Sequence, residues 1–309
     1  MSKIDFAGRV AIVTGAGAGL GKSHALEFAR RGAKVVVNDL GGSRDGVGSS
    51  DAAANKVVEE IKAFGGTAVP NYDDVSTVKG GENIVKTAIN AFGTVDILVN
   101  NAGILRDKSF AKMEEENWDI VVAVHLRGTY CCTRPAFIHM REKGYGRIVM
   151  TSSVSGVLGN FGQSNYAAAK MGVCGLANVL KLEGDKYNIK VNVLLPNAGT
   201  RLTEDVMPPE FFAAAKAELV TPAVIYMCSE QCQDSGMYIN ANCGWYARSN
   251  IVTGPGAFIE NATAEDIAAN WSKITDLKDA KFYNSIAEQT PDLMKFLKLG
   301  SEGLVRPPK

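Results

Sequence analysis

Between residues 10 and 30 the chain passes from an apolar run, Val10-Ala-Ile-Val13, through Thr14-Gly15-Ala16-Gly17-Ala18-Gly19-Leu20-Gly21, into a segment with apolar residues at helical spacing. Few folds accept that succession. Four apolar residues without alternation read as a strand covered on both faces. Glycines without Cβ atoms let the backbone close on a ligand, and a helix starting there presents free N–H groups to an anion. The combination predicts a phosphate-binding turn at the head of a βαβ unit; the alternative is a turn that is merely flexible. The spacing is not Gly-x-Gly-x-x-Gly, because Leu20 stands where the last glycine would fall. It reads Thr-Gly-x-x-x-Gly-x-Gly.

Further apolar runs at 35–37, 95–99, 148–150 and 191–195, with a weaker one at 67–71, alternate with helical segments. That alternation predicts an α/β fold, a doubly wound parallel sheet of the Rossmann type, with 237–240 as the last strand. In such sheets ligands sit at the carboxyl ends of the strands, which puts the loop after Pro196 and a helix near 209–216 beside the cleft. The second strand ends in Asp39. A carboxylate there accepts hydrogen bonds from both ribose hydroxyls of an adenosine and repels a 2′-phosphate, which favours NAD over NADP. Two alternatives stay open: an Asp that only begins the glycine-rich loop, and Arg44 reaching a phosphate.

A second constellation lies downstream. Tyr166 and Lys170 are four apart, so a helix places them on one face, and Ser153 precedes them in a Gly-rich segment after Arg147-Ile-Val-Met-Thr151. A free tyrosine titrates near pH 10; a neighbouring ammonium favours the phenolate. With a serine hydroxyl to orient a substrate oxygen, the three form a proton-transfer device for an alcohol or ketone. The plain alternative is a surface helix that happens to carry Tyr and Lys at this spacing.

Together, Thr14-Gly15-x-x-x-Gly19-x-Gly21, Asn100-Asn101-Ala102-Gly103 and Ser153 with Tyr166 and Lys170 resemble the short-chain dehydrogenase/reductase family over roughly residues 6–246. The resemblance implies Tyr166 as catalytic acid/base, Lys170 as the residue that lowers its pKa and holds the nicotinamide ribose, and Ser153 as the ligand of the substrate oxygen. It implies a cofactor set of Gly15, Gly17, Gly19, Leu20, Gly21, Asp39, Asp74, Val75, Asn101, Ala102, Gly103, Tyr166, Lys170, Pro196, Ala198, Gly199 and Thr200. One departure stands out: where the family often has asparagine, Val124-His125-Leu126-Arg127-Gly128 has histidine. His125 is either a substitute in the proton relay to Lys170 or a packed residue with one hydrogen bond.

Asn38-Asp39-Leu40-Gly41-Gly42, the run 101–110, Val124–Gly128 as a unit, Gly159-Asn-Phe-Gly-Gln163 and Pro196-Asn-Ala-Gly-Thr-Arg201 are similar to the branch that forms the dehydrogenase region of multifunctional β-oxidation enzymes. That branch implies NAD-dependent oxidation of (3R)-hydroxyacyl-CoA esters. A hydroxysteroid, or an acyl-CoA with a steroid side chain, is the second reading. A nucleotide-binding sensor without turnover is the third.

Lys plus Arg and Asp plus Glu number 33 each, so no global field recruits nucleic acid or an anionic membrane. Arg106, Lys108, Arg127 and Arg201 either meet coenzyme A phosphates or form surface pairs. No apolar stretch is long enough to span a bilayer. The six cysteines lack zinc-type pairing and there are three histidines, which predicts no metal site. Reduced thiols and a C-terminal Arg306-Pro-Pro-Lys309 that is no peroxisomal address lead to the expectation of a cytoplasmic protein. The domain reading is a catalytic domain over 1–246 and an extension over 247–309, packed on the core or a partner subunit. Thr263 caps a helix running to Ile274 in that extension, and a second helix spans 291–299. The weakly charged helix after Lys170 predicts a homodimer at least.

Overall fold

The computed structural model describes residues 3–199 and 208–297, and the chain divides into two compact units, Met1–Arg248 and Ser249–Lys309. In the first, strands β1 (Val10–Thr14), β2 (Lys34–Asn38), β3 (Thr67–Asn71), β4 (Ile97–Asn100), β5 (Gly146–Thr151), β6 (Ile189–Asn197), β7 (Tyr238–Asn242) and β8 (Trp245–Ser249) form one sheet. Their order is β3-β2-β1-β4-β5-β6-β7-β8, and β1 to β7 pair in parallel. Chain direction across the sheet reverses between β1 and β4. At such a switch point two loops leave in opposite directions and open a crevice. The Gly15 turn and the Asn101–Ala102–Gly103 run meet there.

The strands read as unbroken apolar runs because both sheet faces are covered. Ala11, Val13, Val35, Val37, Ile97, Val99, Val149 and Leu194 pack on one face with Phe28, Val57 and Ile61. Their alternates Val10, Ile12, Val36, Leu98, Ile148, Met150 and Val193 pack on the other with Ile84, Ala136, Val173 and Ala177. Helices α1 (Gly19–Arg30) and α2 (Ala52–Ala63) supply the first set. Helices α3 (Val78–Phe92), α5 (Gly128–Lys143) and α7 (Ser164–Gly184) supply the second. Between α3 and α5 lies α4 (Glu115–Val122), joined to α5 by a π-helical turn over Ala123–Arg127. Short helices α6 (Val154–Leu158), α8 (Pro209–Ala214) and α9 (Thr221–Met227) complete the unit.

Two expectations change in detail. The last parallel strand is β7, two residues later than expected at its end, and it continues into β8, which the sequence did not reveal. Cys243 and Gly244 join them, both with positive φ (47° and 86°), the geometry of a two-residue hairpin turn of the primed type. In the second unit Thr263 caps α10 (Ala264–Ala269) in a full capping box with Asp266. The helix expected to reach Ile274 breaks at Asn270 and resumes as α11 (Trp271–Ile274). The last helix among the described residues, α12, covers Ile286–Leu297 and so begins before Pro291. Asp292 on α12 accepts from Lys281, Tyr283 and Lys295, and Phe296 stacks on Phe258 at 5.8 Å. No described helix is long and apolar enough to cross a membrane.

Candidate active site

A cleft of about 860 Å³ opens at the switch point. Its floor is the glycine turn. Gly15 has φ of 62°, and a Cβ there would stand 2.7 Å from Ala102 Cα. A Cβ on Gly17 would stand 2.8 Å from Asp39, and one on Gly21 would collide with the Gly15 carbonyl. The backbone therefore lies as close to the second and fourth strands as it can. Asn101 fixes it: Asn101 Nδ2 donates to Thr14 O (3.0 Å) and Gly15 O (3.2 Å), while Thr14 Oγ1 accepts from the N–H groups of Asn101 and Ala102. Helix α1 has no side-chain cap at Ala18, so its first N–H groups face the cleft for an anion. This cradle fits a dinucleotide pyrophosphate.

Asp39 closes the same end. Its two oxygens accept from Gly17 N–H and Gly41 N–H, each at 2.7 Å. A carboxylate has about four acceptor positions, so both oxygens keep one for a ribose hydroxyl. Gly19, Leu20, Asp74, Val75, Ala102, Gly103, Pro196, Ala198 and Gly199 line the cleft, and Gly17 and Gly21 are not among its lining residues. Thr200 and Arg201 lie outside the described residues.

Ser153, Tyr166 and Lys170 converge in the same cleft. Ser153 caps α6, its Oγ accepting from Ser155 N–H at 3.1 Å, and it hydrogen-bonds the Tyr166 phenol. The Lys170 Nζ is 5.5 Å from the Tyr166 ring centre and donates to Thr151 O at 2.6 Å. Burial governs both. It pushes the Tyr166 phenol up to about 12, against the Ser153 hydrogen bond, and brings Lys170 down to about 7. The depressed tyrosine expected from the Tyr–Lys spacing is thus not found in the protein alone. Desolvation of the phenolate, with the Asp107 charge in the same direction, outweighs the Ser153 hydrogen bond that favours ionisation.

His125 lies buried on the π turn, a feature that often marks functional sites. Its ring meets Tyr166 edge to face, with centroids 5.1 Å apart and planes at 84°. Nε2 is 2.8 Å from Ile104 O and 3.1 Å from Ile104 N, and Nδ1 has no protein partner. Burial, then the charge of Lys170, holds the imidazole well below its ordinary pKa, so it is neutral. Gly103 follows from this ring: a Cβ there would fall on His125 Cε1.

Some cleft residues belong to segments that the sequence singled out without giving the individual residue a role. Gln163 and Asn160 line the wall before Tyr166, and Asp107 pairs with Gln163 from a segment 56 residues away. Pro208 and Phe212 border the cleft near Gly199. Arg106, a candidate for phosphate contact, instead donates to Asp45 O and pairs with Glu116 at 3.0 Å. Among the described residues no cluster suits a metal ion, and the six cysteines are free.

Comparison with known proteins places this geometry. The family model described as short chain dehydrogenase matches residues 9–207. The chain belongs to that family. It is accordingly an oxidoreductase of alcohol and carbonyl groups that works with a nicotinamide cofactor. It is 49% identical over 306 residues to peroxisomal multifunctional enzyme type 2 of Drosophila melanogaster, covering 97% of this chain and 51% of that enzyme. The solved structure of the full-length fly enzyme superposes with a TM-score of 0.81 at 42% identity, over 96% of this chain and 50% of that one. Peroxisomal hydratase-dehydrogenase-epimerase of Saccharomyces cerevisiae is 47% identical over 283 residues, 90% of this chain and 31% of that protein. The chain thus spans about half or less of the length of these relatives. A 7α-hydroxysteroid dehydrogenase solved with NADH and 7-oxo glycochenodeoxycholic acid has a TM-score of 0.70 at 28% identity, over 78% of this chain and 95% of that one.

The cytoplasmic placement is overturned by these relatives. The fly and yeast proteins are peroxisomal by name and point to the peroxisome instead. Reduced thiols are compatible with either compartment, and the last residues of a chain that spans part of its relatives do not report an address.

Proposed function

We propose that this chain oxidises 3-hydroxyacyl-CoA esters, of (3R) configuration, to 3-ketoacyl-CoA esters with NAD, in a peroxisomal β-oxidation sequence. One observation carries the reading: Ser153, Tyr166 and Lys170 share a cleft with a dinucleotide cradle, in a chain similar to the multifunctional enzymes over nearly all of its own length. The yeast relative's name joins a hydratase to a dehydrogenase, and hydration of an enoyl thioester yields the alcohol that such a dehydrogenase consumes. Asp39, with an acceptor position left on each oxygen, supports NAD over NADP.

Ser153 Oγ orients the substrate oxygen, and the Tyr166 phenolate takes the hydroxyl proton. A nicotinamide cofactor held by the Gly15–Gly21 turn, Asp39 and Lys170 would supply the acceptor for the hydride of the carbinol carbon and, in its oxidised form, positive charge at the site. Tyr166, raised to about 12 in the protein alone, needs such charge to ionise near neutrality, and Lys170 Nζ is the chain's own source of it. Lys170, titrating at about 7, takes up or releases a proton at working pH. His125 Nδ1, buried without a protein partner beside Lys170, is the atom through which a relay to that lysine passes.

The unit acts as a homodimer joined through α5 and α7. Tyr130, Ile138, Val179 and Leu182 expose apolar surface on those helices, and a Cβ on Gly175 would meet open space. Residues 249–309 take part in assembly or in acyl-CoA binding.

NADH formation on (3R)- and (3S)-hydroxyacyl-CoA esters and on hydroxysteroids, each with NAD and NADP, tests the reading. Turnover of (3R) esters with NAD is expected. The hydroxysteroid neighbour supports a second reading, which steroid turnover without ester turnover would establish. Tight NAD binding with no oxidation of any alcohol would leave a sensor.

A further inference from the structure

The segment after β4 is fastened at both ends of the cleft. Leu105 N–H donates to Arg44 O, and Arg106 Nε donates to Asp45 O at 2.8 Å, both on the loop that follows Asp39. Lys108 forms a parallel bridge to Gln163 and donates from its N–H to Gly162 O at 2.9 Å. Asn165, fully buried, donates to Arg106 O and Asn117 O and accepts from the N–H of Tyr166 itself. One side-chain bond in this seam faces the chemistry. Gln163, the residue before α7, donates from Nε2 to Asp107 Oδ2 at 2.8 Å and accepts from Asn160 Nδ2 at 3.0 Å. Asp107 Oδ1 is buried without a partner.

A half-enclosed carboxylate with one bare oxygen is a costly way to hold a glutamine, since an amide or a hydroxyl would accept the same bond without a desolvated charge. We propose that Asp107 is a positioning residue of the reaction, holding the wall formed by Asn160 and Gln163 against the first turn of α7 so that Tyr166 keeps its place beside Ser153. The inference rests on Tyr166 being the proton acceptor, and it goes beyond that reading by adding a residue that touches neither substrate nor cofactor.

The charge has a second consequence. Around the phenol stand Lys170 and Ser153, the neutral His125 ring and the anion of Asp107, which disfavours the phenolate. Around Asp107 itself stand Gln163 and the charge of Arg44, both opposing the effect of burial, which raises its carboxyl.

Three variants separate hold from charge. Asp107→Asn keeps an acceptor for Gln163 and removes the anion. The acidic limb of its kcat/KM–pH profile is expected to move to lower pH by roughly half to one unit, the small end of a like-charge effect, with plateau kcat within about threefold of wild type. Asp107→Ala and Gln163→Leu remove the hold and are expected to lower kcat about tenfold or more, in the direction of a misplaced reacting group, while NADH affinity by fluorescence titration is unchanged. Gln163→Leu keeps the anion, so its acidic limb does not move down. An unmoved limb in Asp107→Asn together with wild-type kcat in Asp107→Ala overturns the proposal. A loss of NADH affinity in all three, in step with melting temperature, overturns it equally, because the pair would then only hold the fold. These measurements use whichever secondary alcohol the wild type oxidises, so they stand or fall independently of the ester reading.

Discussion

Gly103→Ala isolates a single contact. The residue is not in the left-handed region, so an added methyl brings no backbone strain; its whole effect is the collision with His125 Cε1, with Nδ1 at 3.1 Å and Nε2 at 3.3 Å. That ring cannot give way cheaply. Nε2 is held by Ile104, and the ring edge lies on Tyr166. Inserting a methyl into packing of this kind costs about 1–3 kcal/mol, or a fall of roughly 1.5–5 °C in melting temperature for a chain of this size. Turnover falls further, because the displaced His125 ring packs on Tyr166 and a displacement near 1 Å at a reacting group costs on the order of 10²-fold. His125→Ala vacates the space, so in the double variant the methyl adds no further penalty. A cycle of wild type, two single variants and the double, read by thermal melting and NADH formation, is expected to show about 1–2 kcal/mol of coupling. A Gly103→Ala protein that melts and turns over like wild type would refute the reasoning. So would strictly additive effects.

Tyr166→Phe is expected to keep NADH binding and lose at least about 10²-fold in turnover; near-normal turnover would reject the mechanism. Asp39→Ala is expected to narrow the preference for NAD over NADP in steady-state kinetics, by removing both the ribose acceptor and the repulsion of a 2′-phosphate. Lys170 titrates at about 7 in the folded chain against 10.5 in its ordinary state, so between those values the unfolded chain binds more protons. Stability measured by denaturant should therefore rise with pH across that window, by at most about 1.4 kcal/mol per unit from this group, and Lys170→Met should flatten the rise. Val179→Glu with Leu182→Glu on the exposed face of α7 is expected to halve the mass seen by light scattering; a wild-type monomer at micromolar concentration would sink the dimer.

What the sequence made legible follows from how each feature is held. Strands β1, β2, β4, β5 and β6 show as apolar runs because both faces of the sheet are covered, and the glycine turn shows because close backbone approach demands missing Cβ atoms. β8 did not, since Trp245-Tyr-Ala-Arg-Ser249 is largely exposed and leaves no apolar alternation. The spacing of Tyr166 and Lys170 gave their shared face but not their enclosure, and it is enclosure that sets both ionisations. Asp107 with Gln163, and Gly103 with His125, are contacts made across the fold. No local pattern encodes a partner that distant. His125 was visible as a departure from a family pattern, while the π turn beneath it was not.

That turn also explains how a single rod serves two walls. An α-helix advances about 100° per residue, and a π turn takes one extra residue into its loop, so everything after residue 127 is rotated by about that angle relative to an unbroken continuation of α4. Before the turn, α4 lies against α7, the helix of Tyr166; after it, α5 lies against α3 and the sheet. The irregularity acts as a phase shifter: it allows a rim helix and a core helix to share one axis, and it leaves His125 at the point where one facing gives way to the other.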